Sequence, residues 1–295
     1  MSLKSFIKTI TVRYKLWKRL PVLPYIETHV ADHCNLKCAG CSHFSPIAPE
    51  YYVDIKKFEK DIKQLSKRLN FASIRLLGGE PLLHPDVNSF AAAARKYFPK
   101  SRIAIVTNGI LLDKMPEYFW ETCRKYNITI DLSKYPGNES IFPKVTDLIK
   151  SKNVRLGRVH PGDKMFVFGN QIGTSNPKLA FNRCGIKYYN VTVLRAGKMY
   201  TCPKAAYADI YNNFFKTNIE KDEGINIYKN SGKEIIKYIK SPAKTCKYCL
   251  YYGSWEDWKL SDKNMNEWNI YENESDIPKA LKFMLKHIQL EEQNK

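Results

Sequence analysis

From residue 25 onward, two hydrophobic rhythms take turns along the chain. Residues 25–31 alternate apolar and polar side chains, the period of a strand. Residues 55–69 (IKKFEKDIKQLSKRL) carry apolar positions at helical spacing. The pattern then repeats: strands over 73–77, 102–107, 128–132 and 153–157, helices over 86–97, 116–126 and 141–151. Strands and helices that alternate through short links predict an α/β unit with a parallel sheet and external helices. Such units either close into a barrel or stay open, and the pattern alone does not choose.

The rhythm stops near residue 160. Residues 161–205 are rich in Gly, Pro, Asn and Cys. They carry one strand pair, 188–194 and 198–201, joined through Arg195-Ala196-Gly197, a hairpin with Gly in its turn. A polar stretch with a helix over 231–240 follows, and an amphipathic tail helix is expected over 277–291. At the other end, residues 3–20 hold six Lys or Arg and no acid, with Phe6, Ile7, Ile10, Tyr14 and Trp17 at helical spacing. That segment reads as a basic amphipathic helix, docked on the protein body or lying on an anionic membrane surface.

Composition narrows the class. The chain has 295 residues and is 44% hydrophobic, enough for a substantial core. No apolar run reaches the ~18–20 residues of a membrane span, and no secretory signal is read, so a cytoplasmic protein, with or without peripheral membrane contact through 3–20, is expected. Net charge is +19. No nucleic-acid motif accompanies it, which leaves a basic surface, an anionic small-molecule substrate or an anionic membrane as its meaning. Eight cysteines in such a chain read first as metal ligands.

Seven of those cysteines fall into two groups. Cys34, Cys38 and Cys41 form C-x3-C-x2-C directly after the first predicted strand. Three thiolates on one loop can hold three irons of a [4Fe-4S] cubane and leave the fourth iron open to a small molecule. The other reading is a zinc site completed by a fourth ligand. Gly78-Gly79-Glu80-Pro81 follows the second strand, Val106-Thr107-Asn108-Gly109 ends the third, and Asp131-Leu132-Ser133 ends the fourth. All lie at carboxyl ends of strands, where βα barrels place their chemistry.

These motifs, over about residues 25–160, resemble the radical S-adenosylmethionine (SAM) superfamily. The resemblance implies a partial (β/α)6 TIM-like barrel. It implies a cluster on Cys34, Cys38 and Cys41, with SAM on the open iron. Gly78, Gly79, Glu80 and Pro81 would meet the SAM ammonium, and Thr107, Asn108, Asp131 and Ser133 its ribose and carboxylate. It also implies an electron donor such as flavodoxin or ferredoxin. Many members have an aromatic residue just before the third cysteine; here it is Gly40, and His43 or Phe44 is the candidate for that contact.

Cys184, Cys202, Cys246 and Cys249 make the second group, as C-x12-G-x4-C across the hairpin and then C-x2-C. Four thiolates suit a fully ligated auxiliary cluster or a structural zinc. The arrangement resembles the SPASM/twitch extension, a small C-terminal β-hairpin plus helix cluster domain, and its spacing resembles dehydrogenases of aminocyclitol alcohols. Two [4Fe-4S] clusters and SAM are thus the expected cofactors. The expected organisation is a basic helix over 1–24, the barrel over 25–180, the auxiliary-cluster unit over 181–260 and a helical tail over 261–295. Arg155, Arg158, Arg183 and Arg195 are candidate contacts for an anionic or carbohydrate substrate. Tyr188, Tyr189, Trp255 and Trp258 are read as core aromatics or a sugar pocket, and Cys123 as a buried helix residue or a hydrogen donor. The resemblance favours oxidation of a sugar alcohol. An epimerase, a peptide maturase and a non-enzymatic metal protein are the competing readings.

Overall fold

The computed structural model describes residues 20–170, 173–184, 187 and 191–271. All but the last residue of the basic segment 3–20, the tail helix over 277–291, and Tyr188 and Tyr189 lie outside the described residues.

Five strands run parallel and side by side in chain order: β1 (Val22–Ala31), β2 (Asn70–Gly78), β3 (Arg102–Thr107), β4 (Ile128–Lys134) and β5 (Arg155–Pro161). Each link carries one helix: α1 (Ile55–Leu65), α2 (Val87–Tyr97), α3 (Glu117–Lys125) and α4 (Phe142–Ser151). Sequential parallel strands with helical crossovers are the winding of a βα barrel. The α/β class and this winding agree with the sequence.

Period two sorts the strand residues. Ile26, Val30, Ile74, Leu76, Ile103, Ile105, Ile128 and Ile130 join one core with the helices. Helix α1 shows why it docks there. Asp54 caps it by accepting from the Lys57 N–H at 2.8 Å, and Phe58, Ile62 and Leu65 form its buried stripe. Truncating Ile62 to Ala would cost about 2–5 kcal/mol. The opposite face of the strands carries Tyr25, Glu27, His29, Arg75, Arg102 and Asp131. The interior of the half-barrel is therefore polar and charged.

The rest of the chain closes the open side. After β6 (Lys164–Asn170) and α5 (Pro177–Asn182), strand β7 (Val193–Arg195) lies parallel to β1. It turns back as β8 (Lys198–Tyr200), and β9 (Ile225–Asn226) extends the same sheet, in the order β5-β4-β3-β2-β1-β7-β8-β9. Helices α6 (Pro203–Phe215) and α7 (Gly232–Ile239) flank the hairpin. A second sheet places β6 between β10 (Cys249–Asp257) and β11 (Asn269–Tyr271). Phe44, Tyr207, Tyr211 and Trp268 are among the residues of a second core between these parts.

Candidate active site

The three-cysteine loop leaves β1 and is stitched to the turn after β2. The Gly79 N–H donates to the Ala31 carbonyl at 2.9 Å, and the Glu80 N–H to the His33 carbonyl at 3.1 Å. This approach needs glycine. A Cβ on Gly78 would lie 2.0 Å from the Ala31 oxygen, and one on Gly79 2.1 Å from the His33 oxygen. Glu80 is buried behind them. Its carboxylate accepts from the Leu82 N–H at 3.1 Å, the Thr107 hydroxyl at 2.6 Å and the Asn108 N–H at 2.9 Å. It thereby ties the exit of β3 to the turn. Asn108 donates on to the Asn35 side chain at 2.7 Å, and Asn138 donates to the Asn108 and Ser133 carbonyls at 2.6 and 2.9 Å.

These links leave a cavity of about 120 Å³. Cys34, Cys38 and Cys41 line it together with Gly78, Gly79, Thr107, Asn108, Ser133, Tyr135 and His43. The structure thus gathers most of the sequence-predicted cofactor residues, while Glu80 and Pro81 stand behind as supports. Phe44 turns away into the second core and packs on Tyr211 and Trp268. Asp131 departs from the expectation too. It is fully buried in the barrel interior, paired with Arg102, and accepts from the Arg158 N–H at 2.8 Å. Arg75 lies 3.9 Å from it as well, and Asp131 is not among the residues that line the cavity.

Burial pushes the Cys38 thiol up to about 12 and raises Cys34 and Cys41 as well. Thiols so placed stay protonated at neutral pH unless a cation joins them; a bound metal deprotonates its thiol ligands outright. Donors already surround the sulfurs. The Leu36 N–H donates to Cys34 Sγ at 3.3 Å, and N–H groups at 43–45 favour ionised Cys41. Three thiols on one cavity, with donors aimed at sulfur, fit a cluster with an open position.

The second group assembles from three separated stretches. Cys184 follows α5, Cys202 caps α6 and accepts from the Ala205 N–H at 3.4 Å, and Cys246 and Cys249 flank the turn into β10. Burial raises the Cys202 thiol most, and the nearby Cys249, Cys246 and Cys184 raise it further. Lys204, whose Nζ donates to the Tyr248 carbonyl at 2.7 Å, offsets this at Cys249. Among the described residues no three His, Cys, Asp or Glu side chains meet as a single-ion site.

The four predicted arginines do not converge. Arg155 and Arg158 are exposed on β5, and Arg183 is exposed at the end of α5. Arg195 is on β7, held by Asp209 at 2.6 and 3.0 Å and lying 4.6 Å over the Tyr207 ring. Its charge is committed to that pair. Cys123 is on the buried face of α3, in the core on the outer side of the sheet, away from the barrel interior.

Sequence reasoning missed the interior itself. His29 is held between Asp32, at 2.7 Å from its Nδ1, and His43, at 2.8 Å from its Nε2. Its ring stacks on Tyr207 at 3.8 Å. Glu27 Oε1 and the Tyr207 hydroxyl are both buried and have no hydrogen-bond partner. Burial raises Glu27 from 4.5 to about 7, against the pull of Arg75. The signal was present as Tyr25-x-Glu27-x-His29, polar residues on alternate positions of a strand. The site they form needed the tertiary fold, because Tyr207 arrives from α6.

Residues 28–135 match the Radical SAM superfamily. Among curated proteins, the GTP 3′,8-cyclase of Microcystis aeruginosa is 31% identical over 114 residues, covering 37% of this chain and 35% of that protein. The GTP 3′,8-cyclase of Nautilia profundicola is 29% identical over 143 residues, covering 48% and 42%. The chain spans well under half the length of these curated relatives. Among solved structures, BtrN in complex with AdoMet and 2-DOIA is similar at 18% identity and a TM-score of 0.48, over 80% of this chain and 100% of that one. The cysteine loop, the Gly78-Gly79-Glu80-Pro81 turn and the ends of β3 and β4 all fall inside the residues that match the Radical SAM superfamily.

Proposed function

We propose that the protein is a radical SAM oxidoreductase that takes a secondary alcohol of a sugar-like substrate to a ketone. The observation that carries this reading is the second cysteine group: Cys184, Cys202, Cys246 and Cys249 come from three separated stretches, and Cys249, Cys246 and Cys184 lie close enough to Cys202 to raise its thiol further. When bound, a cluster at Cys34, Cys38 and Cys41 with SAM supplies a 5′-deoxyadenosyl radical able to remove a carbinol hydrogen atom. Cys184, Cys202, Cys246 and Cys249 would hold an auxiliary cluster with no open iron, a group suited to accept the remaining electron.

The chain's own residues do the rest. Gly78 and Gly79 bring the turn after β2 against the cysteine loop, and Glu80 fixes Thr107 and Asn108 beside it. The polar barrel interior receives a hydroxylated ligand. Glu27, whose buried Oε1 lacks a hydrogen-bond partner and lies 3.9 Å from His43 Nε2, is raised by burial to about 7 and takes the hydroxyl proton. The placement of Cys123 in the outer core argues against its use as a hydrogen donor and against an epimerase that would need it. The cyclase relatives match less than half of this chain and less than half of their own length, so they leave the substrate open. Among the described residues no helix is long and apolar enough to cross a membrane.

The test is iron and sulfide per chain after anaerobic reconstitution. About eight irons, falling to about four when Cys34, Cys38 and Cys41 become Ala, supports the reading. About four irons falling to none, with zinc retained, removes the electron acceptor and with it the oxidation.

A further inference from the structure

A second cavity, of about 920 Å³, opens between the 46–54 segment, helix α1, the β7–β8 hairpin and helix α6. That is the size of a small-molecule site. None of the residues that line it also lines the cysteine cavity. The two lie back to back. His29 lines this cleft, His43 lines the cysteine cavity, and their ring nitrogens meet at 2.8 Å.

Charge in the cleft runs against the rest of the chain. The protein carries a net +19, from 48 Lys and Arg against 29 Asp and Glu. Yet five carboxylates line the cleft, those of Asp32, Glu50, Asp54, Asp61 and Asp209, against the cations of Lys57, Arg195 and Lys263. Arg195 is taken by Asp209. Lys57 and Lys263 are exposed. Among the described residues, Asp32, Glu50, Asp54 and Asp61 pair with no Lys or Arg. Carboxylates elsewhere do find cations. Glu59, on the same helix as Asp61, holds Lys96 at 2.7 Å, and Glu117 holds Arg124 and Lys152 at 2.8 and 2.6 Å.

The contacts these four do make are local. Asp54 caps α1, Asp61 accepts from the Tyr228 hydroxyl at 2.5 Å, and Asp32 meets His29 Nδ1 at 2.7 Å. Asp32 is only 6% exposed, and a carboxylate so buried gains from any cation that reaches it. A second signal is independent of charge. Tyr207 lines the cleft and is fully buried, and its hydroxyl has no hydrogen-bond partner. Tyr51 and Phe214 add exposed aromatic rings, whose faces attract cations.

We propose that this cleft binds a small organic cation with more than one ammonium group, the chemistry of a polyamine. The carboxylates stand on separate segments: Asp32 after β1, Glu50 and Asp54 before α1, and Asp61 within it. Among the described residues no three such groups meet closely enough to hold one metal ion, whereas a chain with spaced charges reaches several in turn. The site goes beyond the oxidation reading and depends on neither cysteine group.

The experiment is isothermal titration calorimetry of the reconstituted full chain with spermidine, at physiological ionic strength so that weak surface attraction is screened. Glucose 6-phosphate serves as the anionic probe. Spermidine is expected to bind at one site and glucose 6-phosphate to leave that binding unchanged. Asp61→Asn, which keeps an acceptor for Tyr228, is expected to weaken spermidine about tenfold. Glu50→Gln changes an exposed residue and is expected to weaken it less, so it reads the charge even where Asp61→Asn unsettles α1. Glu59→Gln is expected to match wild type. Absence of spermidine binding, unchanged affinity in both cleft variants, or an equal loss in Glu59→Gln overturns the proposal; the last would mean general surface attraction. Displacement of spermidine by glucose 6-phosphate would overturn it too, as the mark of an anion site.

Discussion

Replacing Gly79 by Ala adds one methyl group at the tightest seam of the site. The new Cβ would stand 2.1 Å from the His33 oxygen and 2.3 Å from its carbonyl carbon. Both are backbone atoms, so no side chain can swing away. Real Cβ atoms essentially never approach closer than 3.0 Å, so the His33 carbonyl must retreat by about 0.9 Å. His33 immediately precedes Cys34, and the same carbonyl accepts the Glu80 N–H. Overpacking of this kind costs about 1–3 kcal/mol, and weakening two hydrogen bonds adds about 1–2 kcal/mol. A displacement near 1 Å beside reacting groups costs on the order of 100-fold in rate. Urea unfolding and anaerobic SAM cleavage measure the two effects. The expected variant folds with reduced stability, holds less iron on the first cysteine group, and cleaves SAM about 100-fold more slowly. Gly197→Ala is the control, since it strains a φ of +72° in the hairpin turn far from this loop. Gly79→Ala with wild-type iron and wild-type cleavage would refute the seam as a determinant of the site.

Two further outcomes follow from the barrel interior and the core. Burial lifts Glu27 from 4.5 to about 7, so between those pH values the folded chain keeps a proton that the unfolded chain releases. Stability should fall as pH rises through that window, by on the order of 3 kcal/mol, and then level off. Tyr25, His29, His43 and Arg75 face the same space, so the measurement is the difference between wild type and Glu27→Gln; parallel stability curves would contradict it. Cys123→Ala should cost about 1 kcal/mol and leave iron content and SAM cleavage unchanged. Loss of cleavage in that variant would mean the thiol reaches the chemistry after all.

Much of the barrel was legible because its signals are local. Helix α1 sits inside the predicted 55–69, β3 matches 102–107, and the apolar positions of period two face the helices as expected. The cysteine loop and the Gly78-Gly79-Glu80-Pro81 turn were legible because each function depends on a few adjacent residues. The later chain was harder. Helix α6 carries a non-helical residue, Tyr207, at φ −119° and ψ 15°, and buries nearly all round, so no clean amphipathic stripe announces it. Strands β6 and β11 pair with each other across about a hundred residues, which no local pattern reports. Asp131 was harder to place, because a carboxylate near a strand end looks alike whether it meets a ligand or an arginine; its pairing with Arg102, on the neighbouring strand, depends on the tertiary fold.

The central claim is that Cys34, Cys38 and Cys41 form the working centre of a radical SAM enzyme. Anaerobic incubation of the reduced, reconstituted chain with SAM tests it most directly, with 5′-deoxyadenosine and methionine counted against time. The account predicts both products in equal amounts, and neither from Cys41→Ala. A protein that carries its iron, keeps SAM intact under reducing conditions and behaves like Cys41→Ala would contradict it.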